Sequence, residues 1–301
     1  MAQVLNLRDI NVESKTVLVR VDINCPLDPK SKEFLDDTRI KAIIPTLNLL
    51  SKSKVVLLAH QSRPGKKDFT STLGHSRELG RVLGRNVKWV EDIHGDKAMK
   101  AIESLVDGEI LMLNNVRKDL EEVSVKGDFK TMSETKIIQR LSGVVDVFVN
   151  DAFACSHRNS PSIVGFAHTI PCVAGELMNK EIKGLEVALV SPKRPCIAVV
   201  GGIKVEDSIS VADNMLRMGI ADEVWATGGV ANLLIEYSGV DIGSINHNFL
   251  VKELGESYHS TVEKAKAMLN DFSEKIRLPT DLAANIEDNR VDITIDKMPV
   301  E

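Results

Sequence analysis

The sequence predicts an α/β protein of two doubly wound parallel-sheet lobes joined by a connector helix, and three observations carry that prediction. Short apolar runs rich in β-branched residues, such as Lys54 to Ala59 and Val144 to Val149, recur between helix-length amphipathic stretches. Most of these runs end in a polar or glycine-bearing loop, the place where open parallel sheets hold their ligands. Between Gly165 and Pro195 the rhythm gives way to a long charged segment, Ala174 to Leu189, with an apolar stripe of Met178, Ile182, Leu185 and Leu189. These features place a first lobe over 1–170, a connector over 171–192 and a second lobe over 193–301.

Composition narrows the class. Aromatic residues make up 4% of the 301 residues, so the cores must be built from Val, Ile, Leu and Ala, as suits strands covered by helices. A net charge of -5 gives no reason to expect nucleic acid or a membrane surface as partner. An acidic protein that binds an anion must therefore gather its positive charge locally. The four cysteines, Cys25, Cys155, Cys172 and Cys196, form no CxxC pair, so neither a structural zinc site nor a disulfide framework is indicated. No apolar run approaches a membrane span and the first residues lack a signal peptide, which together predict a cytoplasmic protein.

In chain order, Lys15 to Asn24 reads as a strand ending in Asp22 and Asn24, and Pro26 stops it. Asp36-Asp37-Thr38-Arg39 precedes a helix expected over Ile40 to Leu50, with Asp37 or Thr38 as its cap. Arg39 conflicts with the helix dipole, a conflict an anionic ligand would relieve. The strand Lys54 to Ala59 runs into His60, Arg63, Pro64 and Gly65. The strand Glu109 to Leu113 runs into Asn114 and Arg117, and Val144 to Val149 into a loop holding Asn150, Asp151, His157 and Arg158. Each basic residue alone reads as a solvated surface group. Their repetition at the ends of strands of one sheet points instead to a small, strongly anionic ligand.

After Pro195 the chemistry changes. The strand Cys196 to Val200 meets Gly201-Gly202-Ile203-Lys204, and a helix begins near Val205; the strand Asp222 to Ala226 meets Thr227-Gly228-Gly229. Glycines beside helix N-termini suit phosphate groups, and a tight turn reads equally well for GGxK alone. Neither a P-loop nor a GxGxxG fingerprint is present, which disfavours a dinucleotide-dependent dehydrogenase. Further strands are expected at Lys275 to Leu278 and Val291 to Ile295, with helices around 232–237 and 254–269.

Seven collinear motifs, RVDIN (20–24), DDTRI (36–40), AHQSRPG (59–65), NNVR (114–117), FVNDAF…HR (148–158), GGIKVEDS (201–208) and TGGVAN (227–232), resemble phosphoglycerate kinase, in its archaeal form. The resemblance implies two Rossmann-like lobes and reversible phosphoryl transfer between 1,3-bisphosphoglycerate and ADP, giving 3-phosphoglycerate and ATP. It makes Asp22 and Asn24 contacts of the glycerate. It places Arg39 at the transferring end and His60, Arg63, Arg117 and Arg158 around the other phosphate. On the nucleotide side it implies Lys204 at the phosphates, with Gly201, Gly202, Gly228 and Gly229 lining the site. Arg39 and Lys204 are the implied catalytic residues, Mg-ATP or Mg-ADP the cofactor, and a cytoplasmic monomer that closes about its connector the expected form. No protein ligand for the magnesium is identified.

Three positions depart from the family pattern. Ser208 stands where a second lysine is familiar and Asn114 where a glutamate is, and the family continues past the equivalent of Glu301. The second lobe is therefore expected to be incomplete, with the magnesium contact in the absent part. The alternative function is a binding module that retains only the phosphoglycerate site.

Overall fold

The computed structural model describes residues 4–190 and 192–298; Ser191, inside the expected connector, lies outside them. The chain divides into two compact units, Met1–Lys183 and Gly184–Glu301. Both have α/β architecture.

In the first unit β1 (Thr16–Val21) precedes α1 (Thr38–Ala42) and α2 (Ile44–Leu49). β2 (Lys54–Leu58), α3 (Leu73–Leu83), β3 (Lys88–Trp89), α4 (Asp96–Glu103) and β4 (Ile110–Met112) follow. Then come α5 (Leu120–Ser124), α6 (Phe129–Ser133), α7 (Lys136–Ser142), β5 (Val147–Asp151), α8 (Pro161–Val164), β6 (Cys172–Ala174) and α9 (Glu176–Val190), whose residues after Lys183 belong to the second unit. The six strands form one parallel sheet in the order β3-β4-β2-β1-β5-β6. Apolar clusters cover its two faces, one including Val17, Val19, Leu57 and Leu79, the other Leu18, Val56, Leu111 and Phe148. Alternate residues of β1 thus enter opposite cores, the period-two geometry of a strand buried on both sides.

Four local expectations need correction. The helix over Ile40 to Leu50 is two helices that meet at Ile43, because Pro45 in the first turn of α2 cannot donate to a preceding carbonyl. Its entrance is held by Asp36, whose carboxylate accepts from the Thr38 backbone N–H (2.9 Å) and hydroxyl (3.0 Å), while neither Asp37 nor Thr38 caps α1. β5 extends through Asn150 and Asp151, so both lie on the strand and not in the loop beyond it. Within the connector, Cys172–Ala174 is the sheet's edge strand and the helix starts only at Glu176. Of the connector's expected stripe Met178 is buried, whereas Leu185 and Leu189, beyond Lys183, are exposed.

Asp151 explains where that helix begins. Its Oδ1 accepts from the backbone N–H groups of Leu177 (2.9 Å) and Met178 (3.2 Å), two of the donors a helix leaves open at its start. Gly175 makes room for the carboxylate, since a Cβ there would lie 2.2 Å from Asp151 Oδ1.

In the second unit β7 (Ile197–Val200), α10 (Val205–Arg217), β8 (Glu223–Ala226), α11 (Gly228–Tyr237), α12 (Gly243–Leu254), α13 (Tyr258–Phe272) and β9 (Ile276–Arg277) alternate. The strands form a parallel sheet, β7-β8-β9, packed on a core of Ile209, Leu216, Leu233, Leu250 and Met268. The segment expected as one last strand is half of an antiparallel hairpin, β10 (Asp281–Ile286) with β11 (Asn289–Thr294). Among the described residues no helix is long and apolar enough to cross a membrane.

Candidate active site

At the carboxyl edge of the first unit's sheet, a cavity of about 490 Å³ is lined by Arg20, Arg63, Arg117, Arg158, Lys126, Glu122 and neighbouring residues. Strand ends from β1, β2, β4 and β5 deliver the four arginines. Among the described residues none of the four makes a salt bridge, and the buried Arg158 Nε has no hydrogen-bond partner. Burial, with Arg158 and Arg20 close by, depresses the affinity of Arg117 for its proton. Such crowding of like charge is costly without an anion between the guanidinium groups.

Arg20 is the residue that sequence reading missed. It sits inside β1, 2% exposed, with Nε donating to Ser162 Oγ (3.0 Å), Nη1 to Val21 O (2.7 Å) and Nη2 to His60 Nδ1 (3.1 Å). A charge in the middle of the apolar run Thr16 to Ile23 was the available signal, because buried charges persist only where partners are supplied. The loops are fixed by another unread residue. Asn115, fully buried, donates from Nδ2 to Gln61 O (2.8 Å) and Thr70 O (2.7 Å), tying the loop after β2 to the end of β4. Asn114, at the position where a glutamate is familiar, accepts from the next residue's N–H (2.8 Å).

The remaining predicted residues stand beside the cavity without lining it. Arg39 forms an ion pair with the buried Asp22, so its conflict with the α1 dipole is relieved by a carboxylate of the chain itself. Asn24 Oδ1 accepts from Ser62 N (2.8 Å). His60 is buried, and burial together with Arg20, Arg117, Arg158 and Arg39 lowers its pKa to about 2. His60 is therefore neutral, and it enters the basic cluster as a hydrogen-bonding group without charge. Because Nδ1 accepts from Arg20, the ring proton belongs on Nε2.

Asp22, His60 and Cys155 bring potential ligand atoms within 4.8 Å of one another. The trio suits a cation poorly: Arg39 holds Asp22, Arg20 holds His60, and burial pushes the Cys155 thiol up. A larger cavity, about 570 Å³, lies beside α9 and includes Arg8, Lys180 and Lys183, but Arg8 is paired in fork geometry with Glu176 (2.9 and 3.0 Å). The unpaired arginines single out the first cavity.

In the second unit, β7 and β8 are hydrogen-bonded neighbours, so their glycine-bearing ends lie side by side. A Cβ at Gly201 would lie 2.1 Å from Thr227 Oγ1, and one at Gly229 2.9 Å from Gly202 O. Gly202 and Gly228 have φ of 92° and 53°, which favour glycine. Neither α10 nor α11 receives a side-chain cap, leaving two helix N-termini with open backbone donors at this edge. Lys204 is exposed at the start of α10. Its own cavity, about 260 Å³, is shared with Glu206, Asp207 and Glu253, while none of the four glycines lines it.

Comparison with known proteins now decides the family. The sequence model of the family Phosphoglycerate kinase matches residues 7–300. The chain belongs to the phosphoglycerate kinase family. It is 45% identical to the phosphoglycerate kinase of Methanobacterium bryantii and 46% identical to that of Methanothermobacter thermautotrophicus. Each match covers 97% of this chain and, respectively, 71% and 70% of the relative. The crystal structure of phosphoglycerate kinase from Pyrococcus horikoshii OT3 superposes with a TM-score of 0.86 at 39% identity, covering 98% of this chain and 72% of that one. The enzyme from Coxiella burnetii gives 0.71 at 28%. The two α/β units are accordingly the two Rossmann-like lobes of a phosphoglycerate kinase, a phosphotransferase that exchanges a phosphoryl group between 1,3-bisphosphoglycerate and ADP. The chain spans about 70% of the length of these relatives.

Proposed function

We propose that the arginine-lined cavity of the first unit holds the non-transferred phosphate of 3-phosphoglycerate and of 1,3-bisphosphoglycerate. The observation that carries this reading is the set of four arginines around one cavity without ion-pair partners among the described residues. Arg63, Arg117 and Arg158 supply forked donors, and Arg20 supplies fixed positive charge. The loose, charge-rich transition state of phosphoryl transfer asks for positioning and charge stabilisation more than for a covalent catalyst. Asp22 and Asn24 would orient the glycerate. Arg39, held by Asp22 yet with its side chain 45% exposed, would turn toward the carboxyl-phosphate end.

In the second unit, the shelf of Gly201, Gly202, Gly228 and Gly229 and the two uncapped helix N-termini fit nucleotide phosphates. Lys204 would add a charge that attracts them. Magnesium carried by ATP or ADP would offset phosphate charge there. The enzyme is read as cytoplasmic and monomeric.

Calorimetric titration of 3-phosphoglycerate and of Mg-ATP, each alone, tests both halves. Arg158→Ala and Arg117→Ala should weaken 3-phosphoglycerate binding at least tenfold while leaving Mg-ATP binding unchanged. Folded variants that bind 3-phosphoglycerate as the wild type does would refute the assignment.

A further inference from the structure

Glu122 is the single carboxylic acid lining the basic cavity. It sits on α5 and is 7% exposed. Both its oxygens act as acceptors, Oε2 from the Ser162 backbone N–H (2.9 Å) and Oε1 from the Ser162 hydroxyl (2.7 Å). The same hydroxyl accepts from Arg20 Nε (3.0 Å), and Arg20 Nη2 reaches His60 Nδ1 (3.1 Å). Arg20, a donor only, obliges both Ser162 Oγ and His60 Nδ1 to accept from it. The proton of His60 is thereby confined to Nε2. The Ser162 O–H is then left to donate to Glu122, which holds the hydroxyl, and with it Arg20, in place.

We propose that Glu122 is a positioning residue of the phosphoglycerate site, fixing through Ser162 and Arg20 the orientation and tautomer of His60. The inference rests on reading the cavity as that site. Charge accounts for the buried carboxylate: Arg20 on β1, Arg117 before α5, and Arg158 and Lys126 at the cavity surround it, with Ser160 and Ser162 facing it from the start of α8. Burial pushes the Glu122 carboxyl up, with Arg20 and the serines acting against that shift. A neutral apolar residue in its place would leave the Ser162 hydroxyl and N–H without their acceptor and loosen the hydroxyl that holds Arg20 Nε.

Long-range proton–nitrogen correlation spectra of the histidine-labelled chain, with His60 assigned from a His60→Gln spectrum, read the tautomer directly. Calorimetry with 3-phosphoglycerate reads the site. The wild type should show a single tautomer with the proton on Nε2. Glu122→Gln, which loses one acceptor oxygen, and Ser162→Ala, which cuts the link but keeps the residue-162 N–H, should both yield mixed tautomers. Both should weaken 3-phosphoglycerate binding about tenfold, the scale of one lost hydrogen bond, and leave Mg-ATP binding unchanged. Glu122→Asp should restore part of both signals. An unchanged His60 tautomer in folded Ser162→Ala, or equal or tighter 3-phosphoglycerate binding in either variant, overturns the proposal. If Glu122→Gln does not fold, Ser162→Ala decides alone. Shifted tautomers in variants of a wild type that binds no 3-phosphoglycerate would keep the relay and remove the substrate reading.

Discussion

His75 offers a stability test that does not touch the site. It is fully buried on α3, with Nε2 3.0 Å from Gln61 Oε1 and its ring edge-on to Phe34. Burial lowers its pKa from 6.5 to about 4. Between these values the unfolded chain binds a proton that the folded chain refuses, so stability is present above pH 6.5 and falls as the solution is acidified. From pH 7.5 to pH 5.0 a single such histidine removes about 2 kcal/mol. His60 acts in the same sense. Glu122 and Asp151, whose carboxyls burial pushes up, act in the opposite sense by gaining protons in the folded state. His94, raised by its hydrogen bond to Asp119, contributes stability that is already complete below pH 6.5 and is lost only as pH rises. The wild-type profile is thus a composite, and the difference from His75→Leu isolates one proton. Trp89 in the first unit and Trp225 in the second are the chain's two tryptophans, so a Trp225→Phe background lets urea unfolding of the first unit be followed by fluorescence. His75→Leu should start less stable at pH 7.5 but lose about 2 kcal/mol less than its parent on going to pH 5.0. Equal losses would refute the argument that His75 is held neutral by burial.

Asn115→Ala removes two buried bonds to the 61–70 loop, and should destabilise the first unit by roughly 2–4 kcal/mol in urea unfolding. Gly201→Ala drives a methyl group against Thr227 Oγ1 and should weaken Mg-ATP binding in calorimetry. Thr227→Ala in the same chain should recover part of the loss, since the next obstacle is a carbonyl at 3.2 Å. Asp151→Ala strips two donors at the start of α9 of their acceptor and should cost about 1–2 kcal/mol, the usual worth of a helix cap, read from the first unit's unfolding.

What the sequence disclosed follows from how each feature is encoded. Strands buried on both faces announce themselves as apolar runs, and β1, β2, β4, β7 and β8 all fall within the stretches read for them, while β5 starts inside its stretch and runs two residues past it. Short helices such as α5, α6 and α8 span too few turns to display a period, and they went unread. The hairpin β10–β11 was hidden for two reasons. Its strands are largely exposed, so no polar alternation marks them, and its two-residue turn places Glu287 and Asp288 at positive φ without the glycine that signals such turns. Arginines at strand ends were legible because they interrupt apolar patterns at a place where ligands gather. The partners that hold them were not, because Ser162 and Glu122 meet Arg20 only through the fold.

Asp151 shows how one residue type serves two ends of the same argument. Read in sequence, an acid beside Asn150, His157 and Arg158 looks like part of a ligand loop. Placed in the structure, it is the last residue of β5, wholly buried, and its carboxylate reaches the first turn of α9. Glu122, on α5, follows the same logic: an acid in a basic neighbourhood that accepts from the serine that orients Arg20. In an acidic chain of net charge -5, these buried carboxylates are committed to protein donors. Asp22 is held by Arg39, Glu122 by Ser162 and Asp151 by α9, while Arg63, Arg117 and Arg158 keep their charge unpaired. The charged lining of the cavity is Arg20, Arg63, Arg117, Lys126 and Arg158 against Glu122 alone, which is how a chain with more acids than bases presents a positive cavity. An excess of acids elsewhere on the surface, screened over roughly 8–10 Å at ordinary salt, barely reaches it.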